Sequence, residues 1–226
     1  MPETTSGPPV LLVHGFASDG HTDWITTGWP SALTAAGREV VVPDLPGHGS
    51  SPAPTGSAGA KAITAELARL VGKLSEVDVV GYSLGARLSW ELPAQATVRR
   101  LVLAGVSPVE PFGAVDVAAA LAFADGGKPP TDLLTNMIAR MVTAPGRNPA
   151  ALLRCVEDLR AEPFAPAAGA VGVPTRFVAG SDDPVSRGIE TLVDLVPGAD
   201  LVRVPGDHGG ALRSQEFKTA ALEFLA

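Results

Sequence analysis

The 226-residue chain has one cysteine, one tyrosine and only 5% aromatic residues. With Cys155 alone, an intrachain disulfide and any multi-cysteine metal centre are ruled out. Its neighbours Leu152, Leu153 and Val156 place it in an apolar core rather than at a reactive site. Charge is also scarce: 18% of residues are charged and the net charge is −7. An acidic balance argues against nucleic acid or an anionic membrane surface as the main partner, so a small uncharged substrate fits better. Long hydrophobic runs are missing too. None approaches the roughly 20 residues needed to span a bilayer, which predicts no membrane insertion. The opening Met1-Pro-Glu-Thr-Thr-Ser-Gly-Pro-Pro9 carries no basic stretch, and Val10–Val13 is too short for a signal core, so a cytoplasmic location is expected. The four histidines are scattered without helical ligand spacing, and no metal is expected.

What is present is apolar residue, 46% of the chain, enough to bury the core of one large α/β domain or of one domain with an insertion. Its most informative stretch is Val77-Asp-Val-Val-Gly-Tyr-Ser-Leu-Gly85. Three β-branched residues in a short run suit a strand covered on both faces. Gly81 and Gly85 then flank Ser83 at −2 and +2, as a serine held in a sharp strand-to-helix turn requires, because its neighbours must lack bulk where the chain crosses itself. The following Leu84–Gln95 reads as a helix whose free N–H groups and positive dipole end stand beside the Ser83 oxygen.

Strands and helices alternate around this turn. Strands are expected at Val10–Val13, Glu39–Val42, Val77–Tyr82, Arg100–Ala104, Thr175–Ala179 and Asp200–Val204. Helices are expected within Trp24–Gly37, from about Ala58 to Ser75 with Ile63, Leu67, Leu70, Val71 and Leu74 on one face, around Ile189–Val196, and at the C-terminus. The pattern predicts a mostly parallel sheet of about six strands with helices on both faces, whose catalytic groups sit at the C-terminal ends of strands. Between residues 107 and 168 the alternation breaks into three apolar stripes: Val117, Ala120 and Leu121; Leu134, Met137, Ile138 and Met141; Leu152, Val156 and Leu159. Residues 107–168 are therefore expected to form a helical lid inserted in a core made of 1–106 and 169–226.

A serine hydroxyl becomes an effective nucleophile when an imidazole accepts its proton and a carboxylate orients that imidazole. His208 is the only histidine after Ser83, in an expected loop past a strand, and Asp182 and Asp183 follow the preceding strand. The order Ser, Asp, His is the one found when such a triad is built on an α/β sheet.

With His14-Gly15-Phe16, Asp44-x-Pro-Gly-His-Gly-x-Ser51, Gly81-Tyr-Ser-Leu-Gly85, Gly180-x-x-Asp183 and Gly206-x-His208 in this order, nearly the whole chain resembles the α/β-hydrolase superfamily, in particular capped, bacterial carboxylesterase-like serine esterases. The resemblance implies Ser83 as nucleophile, His208 as general base and then acid, and Asp183 rather than Asp182 as the orienting carboxylate. It further implies an oxyanion hole from the backbone N–H groups of Phe16 and Leu84, with no cofactor. The reaction expected is cleavage of a small uncharged carboxylic ester through an acyl-enzyme. Carbon–carbon hydrolase, lactonase, thioesterase and cofactor-free haloperoxidase or perhydrolase chemistry stay open on the same scaffold, as does a non-enzymatic ligand sensor. His14, Asp44 and His48 are expected to shape loops, His21 to lie at the surface or pocket rim, and Asp207 to point to solvent. Tyr82 suits either pocket or core, and Trp24, Trp29 and Trp90 suit packing.

Overall fold

A computed structural model of the chain describes residues 7–56 and 59–226. Six strands form one parallel sheet: β1 (Val10–Val13), β2 (Val40–Val41), β3 (Val77–Tyr82), β4 (Val98–Ala104), β5 (Thr175–Gly180) and β6 (Asp200–Val204), in the order β2-β1-β3-β4-β5-β6. Period-two alternation divides their side chains between two cores. Leu11, Val13, Val79, Leu101, Leu103 and Phe177 face one side, where they meet Ile63, Leu67 and Val71 of α2 (Ala60–Val71). Val10, Leu12, Val80, Tyr82, Val102 and Val178 face the other. There they meet Trp29 and Leu33 of α1 (Trp29–Ala35) and Phe217, Ala221 and Leu225 of the last helix. Both faces are covered, which is why the strands read as apolar runs rather than as alternating ones.

The chain passes from β1 outward to β2 and then crosses to β3 on the other side of β1. This reversal opens a crevice at the C-terminal ends of β1 and β3, where Gly15 and Ser83 lie. The lengths of several helices differ from expectation. Pro93 cannot continue an α-helix, so α3 ends as Leu84–Ser89 and a 3₁₀ turn at Leu92–Ala94 follows. On α2, Leu70 is exposed while Ile63, Leu67 and Val71 are buried, so the apolar stripe is narrower than the sequence suggested; Ala58, expected to open this helix, lies outside the described residues. The expected helix after β5 shrinks to one turn, α7 (Glu190–Val193), bracketed by Gly188 with φ 80° and by Pro197.

Three helices fill the interval between β4 and β5: α4 (Val117–Ala124), α5 (Leu133–Val142) and α6 (Pro149–Ala161). Each begins at a side-chain cap, with Asp116, Asp132 and Asn148 accepting from the N–H of Ala119, Thr135 and Ala151. Their inner residues Ala120, Ile138, Val142, Leu152, Val156 and Leu159 continue the α2-side core, and Cys155 is buried with them. Burial pushes its thiol up to about 12, which keeps it protonated. Two final helices, α8 (His208–Arg213) and α9 (Gln215–Leu225), close the opposite face. Among the described residues no helix is long and apolar enough to cross a membrane.

Candidate active site

Ser83 sits between β3 and α3 with φ 55° and ψ −116°, and with Ala17 it is one of two non-glycine residues at positive φ among the described residues. Such a conformation persists only where its surroundings enforce it. The flanking glycines show how. A Cβ on Gly81 would stand 2.5 Å from the Gly85 carbonyl oxygen and 2.7 Å from the Ala86 nitrogen. A Cβ on Gly85 would stand 2.0 Å from the Val13 carbonyl oxygen. The first turn of α3 is thus pressed between the ends of β1 and β3, and any side chain at either position would drive it out.

His208 lines the same cavity as Ser83. Its Nδ1 lies 2.9 Å from Asp183 Oδ2. Asp183 is buried, and its carboxylate also accepts the Ser186 hydroxyl (2.8 Å) and the Val185 N–H (2.9 Å). Burial pushes the Asp183 carboxyl up, but the bond and charge of His208 and the Ser186 and Val185 donors outweigh it and hold the group below its usual range. Asp182, the competing carboxylate, is exposed. His208 was expected in a loop and instead opens α8, because the adjacent Asp207 caps that helix by accepting the Gly210 N–H at 2.7 Å. Asp207 is exposed, as the sequence suggested. Tyr82 is buried; its hydroxyl donates to the His208 carbonyl and its ring stands 5.2 Å from the imidazole, so it supports the histidine's backbone and ring together.

The β1 loop supplies the third side. Asp23 was not singled out in the sequence, yet it is buried and accepts the Gly15 N–H (2.9 Å) and the Ser18 hydroxyl. Gly15 is thereby pinned against the elbow, where a Cβ would stand 3.4 Å from that of Ser83. Among the described residues no acceptor stands against the N–H of Phe16 or of Leu84, and both residues line the same cavity as Ser83 and His208. His14 is fully buried: Nε2 accepts the Leu45 N–H (2.9 Å), which leaves Nδ1 to donate to the Gly15 carbonyl (2.8 Å). It joins two loops, and burial lowers its pKa. Asp44 has the same kind of loop role, accepting from the Gly20 N–H and from the Ser50 N–H and hydroxyl. His21 is exposed and away from the cavity.

The cavity has a volume of about 300 Å³ and runs from Ser83 and His208 beneath Phe112, Leu134, Met137, Ile138, Met141 and Phe164. Its walls are apolar but for Arg87, Ser107, Asp207 and the candidate catalytic groups. Among the described residues no group of three or more His, Cys, Asp or Glu side chains is placed to hold a metal ion.

Two predictions arise here. Gly105, at φ 62°, has room for no side chain: a Cβ would stand 2.8 Å from Tyr82 Cζ and 3.1 Å from His208 Cε1. Gly105→Ala should displace the imidazole and lower kcat on the order of 10²-fold, measured beside the melting temperature to separate displacement from unfolding. His48 is buried, and desolvation, aided by the neighbouring His14, lowers its pKa to about 4 despite its Nδ1 bond to the Pro46 carbonyl. The unfolded chain takes up this proton near 6.5 and the folded chain only near 4, so stability is full above 6.5 and falls on acidification through that window. The loss should be about 3 kcal/mol by urea unfolding, and His48→Gln should flatten it.

A model of the alpha/beta hydrolase family matches residues 10–220. In solved structures the same fold recurs in a hydrolase from Pseudomonas aeruginosa PA01 (TM-score 0.73, 24% identity, 97% of this chain and 90% of that one). It recurs as well in an esterase from Exiguobacterium antarcticum (0.77, 19%, 98% and 92%) and a thermophilic esterase from Thermogutta terrifontis (0.76, 22%, 98% and 90%). In sequence, the chain is 34% identical over 99 residues to the magnesium-chelatase 30 kDa subunit of Rhodobacter capsulatus, a match over 42% of this chain and 34% of that protein. The chain thus spans about a third of the length of the curated relatives it matches. Since the family's pattern runs from the first core strand into the last helix, and the sheet order and the elbow agree with it, the chain belongs to the alpha/beta hydrolase family.

Proposed function

We propose that the protein hydrolyses carboxylic esters of small, uncharged, largely apolar acids by acyl transfer to Ser83. The observation that carries this reading is the Asp183–His208 pair at 2.9 Å, which shares a cavity mouth with a serine held in a strained turn. His208 accepts the Ser83 proton through Nε2 while Asp183 holds Nδ1–H, fixing the tautomer and stabilising the imidazolium that forms. The Ser83 oxygen attacks the ester carbonyl, and the N–H groups of Phe16 and Leu84 receive the developing oxyanion. His208 returns the proton to the leaving alcohol, then activates the water that releases the acid. Helices α4–α6 act as the lid of this site. Their part is to roof the acyl pocket with Leu134, Met137, Ile138 and Met141, which keeps bulk water from the acyl-enzyme. Two of the three similar structures named above are esterases, in keeping with this choice among the chemistries open to the scaffold.

The test is initial-rate hydrolysis of p-nitrophenyl esters from acetate to laurate. Turnover should peak at short to medium acyl groups that a cavity of about 300 Å³ accommodates. Folded protein that turns over none of them would remove the esterase reading.

A further inference from the structure

Three of the residues that line the cavity are exposed: Met137, Pro184 and Asp207. They mark where it opens to solvent, whereas Phe112 and Ile138 are buried within it. Besides His208, two charged side chains line the cavity, Arg87 and Asp207. Arg87 is buried and paired with Glu110 at 2.9 Å, so its charge is balanced. Asp207 accepts the Gly210 N–H at 2.7 Å through Oδ1 and takes part in no ion pair among the described residues. The opening therefore carries a negative charge that no side chain offsets. Asp207 directly precedes His208, which sets their Cα atoms about 3.8 Å apart. In acyl transfer His208 hands its proton to the leaving oxygen, so the alcohol portion of the ester must lie beside the imidazole. With the acyl chain in the buried apolar part of the cavity, the alcohol is directed to the opening.

We propose that Asp207 is a specificity-determining residue that favours esters whose leaving alcohol carries a cation, a quaternary or protonated amine. The acyl group stays uncharged and apolar, as the buried walls require, and the charge resides in the half of the substrate that departs first. Because Asp207 is exposed, the attraction amounts to a few-fold preference and is screened by salt. The net charge of −7 would draw any cation toward the protein, so the local effect of Asp207 has to be separated from that general field. The inference rests on the acyl-transfer reading above for which end of the ester faces the opening.

The test compares kcat/KM for hexanoate esters of choline and of its uncharged isostere 3,3-dimethylbutanol. A second pair, 3-(trimethylammonio)propanol and 4,4-dimethylpentanol, moves the cation one carbon further out. In one pair or both, the charged ester should be favoured on the order of fivefold at about 0.01 M salt, the ratio falling toward one at about 1 M. Asp207→Asn removes the charge while its amide oxygen can still cap α8 through the Gly210 N–H, and Asp207→Ser serves where the first variant fails to fold. Either should bring the ratio close to one at low salt. Glu66→Gln, an equal change of net charge at an exposed position on α2, should leave the preference in place. A ratio near one for both pairs in the unaltered protein overturns the assignment, as does a preference that survives Asp207→Asn or is lost equally in Glu66→Gln. Titration calorimetry of the same pairs with Ser83→Ala separates the two readings. Binding that favours the cation and loses this in the added Asp207→Asn, with no turnover by the unaltered protein, would sink acyl transfer and leave the role of Asp207 standing. Turnover of both members of each pair at equal kcat/KM would do the reverse, and no turnover with equal affinities would overturn both.

Discussion

Ser83→Ala is expected to lower ester hydrolysis by at least about 10⁴-fold, Asp183→Asn by about 10⁴-fold, and Asp182→Asn by less than about twofold. The contrast between the two adjacent aspartates carries the argument. Asp183 is buried against His208 Nδ1 and receives two further donors, Ser186 and Val185, that hold it ionised and fixed in place. An amide there could turn its NH₂ toward the imidazole and stabilise the tautomer with the proton on Nε2, the nitrogen that must accept from Ser83. Asp182 is solvent-exposed and its substitution leaves that arrangement intact. The measurement is kcat/KM for the best p-nitrophenyl ester with the three variants at equal active-site concentration. The double variant Ser83→Ala, Asp183→Asn should be no slower than Ser83→Ala alone, since groups that act as a unit lose their effect together. Equal losses from Asp182→Asn and Asp183→Asn would dismiss the assignment of the orienting carboxylate.

The parts of the molecule that were legible in the sequence are those set by local constraint. The elbow is one: Gly81 and Gly85 are demanded by contacts of 2.5 Å and 2.0 Å with backbone atoms, and no other residue type meets them. The strands are another, since burial on both faces leaves an apolar run that needs no knowledge of the partner. What escaped was fixed by distant partners. Asp23 holds the Gly15 N–H across eight residues, and nothing in His21-Thr-Asp-Trp-Ile25 marks that aspartate as buried. Arg87 looks like a polar residue on a helix until the carbonyls of Leu159 and Glu162, more than 70 residues later, close over it. Asp207 shows the intermediate case. Its position before Gly209 and Gly210 hid a capping role that turned an expected loop into the first turn of α8, with His208 as its first residue. Capping by Asp116, Asp132 and Asn148 was likewise visible in residue type, but locating each start needed the helix it begins.

Asp78→Ala should destabilise the fold by about 3–5 kcal/mol while leaving kcat at 25 °C close to its original value. Asp78 interrupts the apolar run of β3 and is fully buried, at the end of the strand opposite Ser83. It binds Arg38, which is itself buried, and Arg99 through Nε (2.9 Å) and Nη2 (2.6 Å). Both arginines also reach the Leu225 carbonyl, at 2.9 Å and 2.6 Å, and Arg38 Nε donates to the Pro8 carbonyl at 2.7 Å. One carboxylate therefore anchors the chain before β1, the loop into β2, the base of β4 and the end of α9. Removing it leaves the Arg38 charge buried without a counterion, and the cost is chiefly that desolvation rather than the worth of the pair. A loss of this size corresponds to a fall of roughly 10 °C in Tm for a chain of this length. Two arms check the cause. Asp78→Ala with Arg38→Met removes both charges and should recover a large part of the loss, whereas a purely steric role for Asp78 would make the double variant worse than either single one. Unchanged kcat together with lowered Tm would separate this base from the other end of the same strand, where the strain at Ser83 is held by glycines and not by charge.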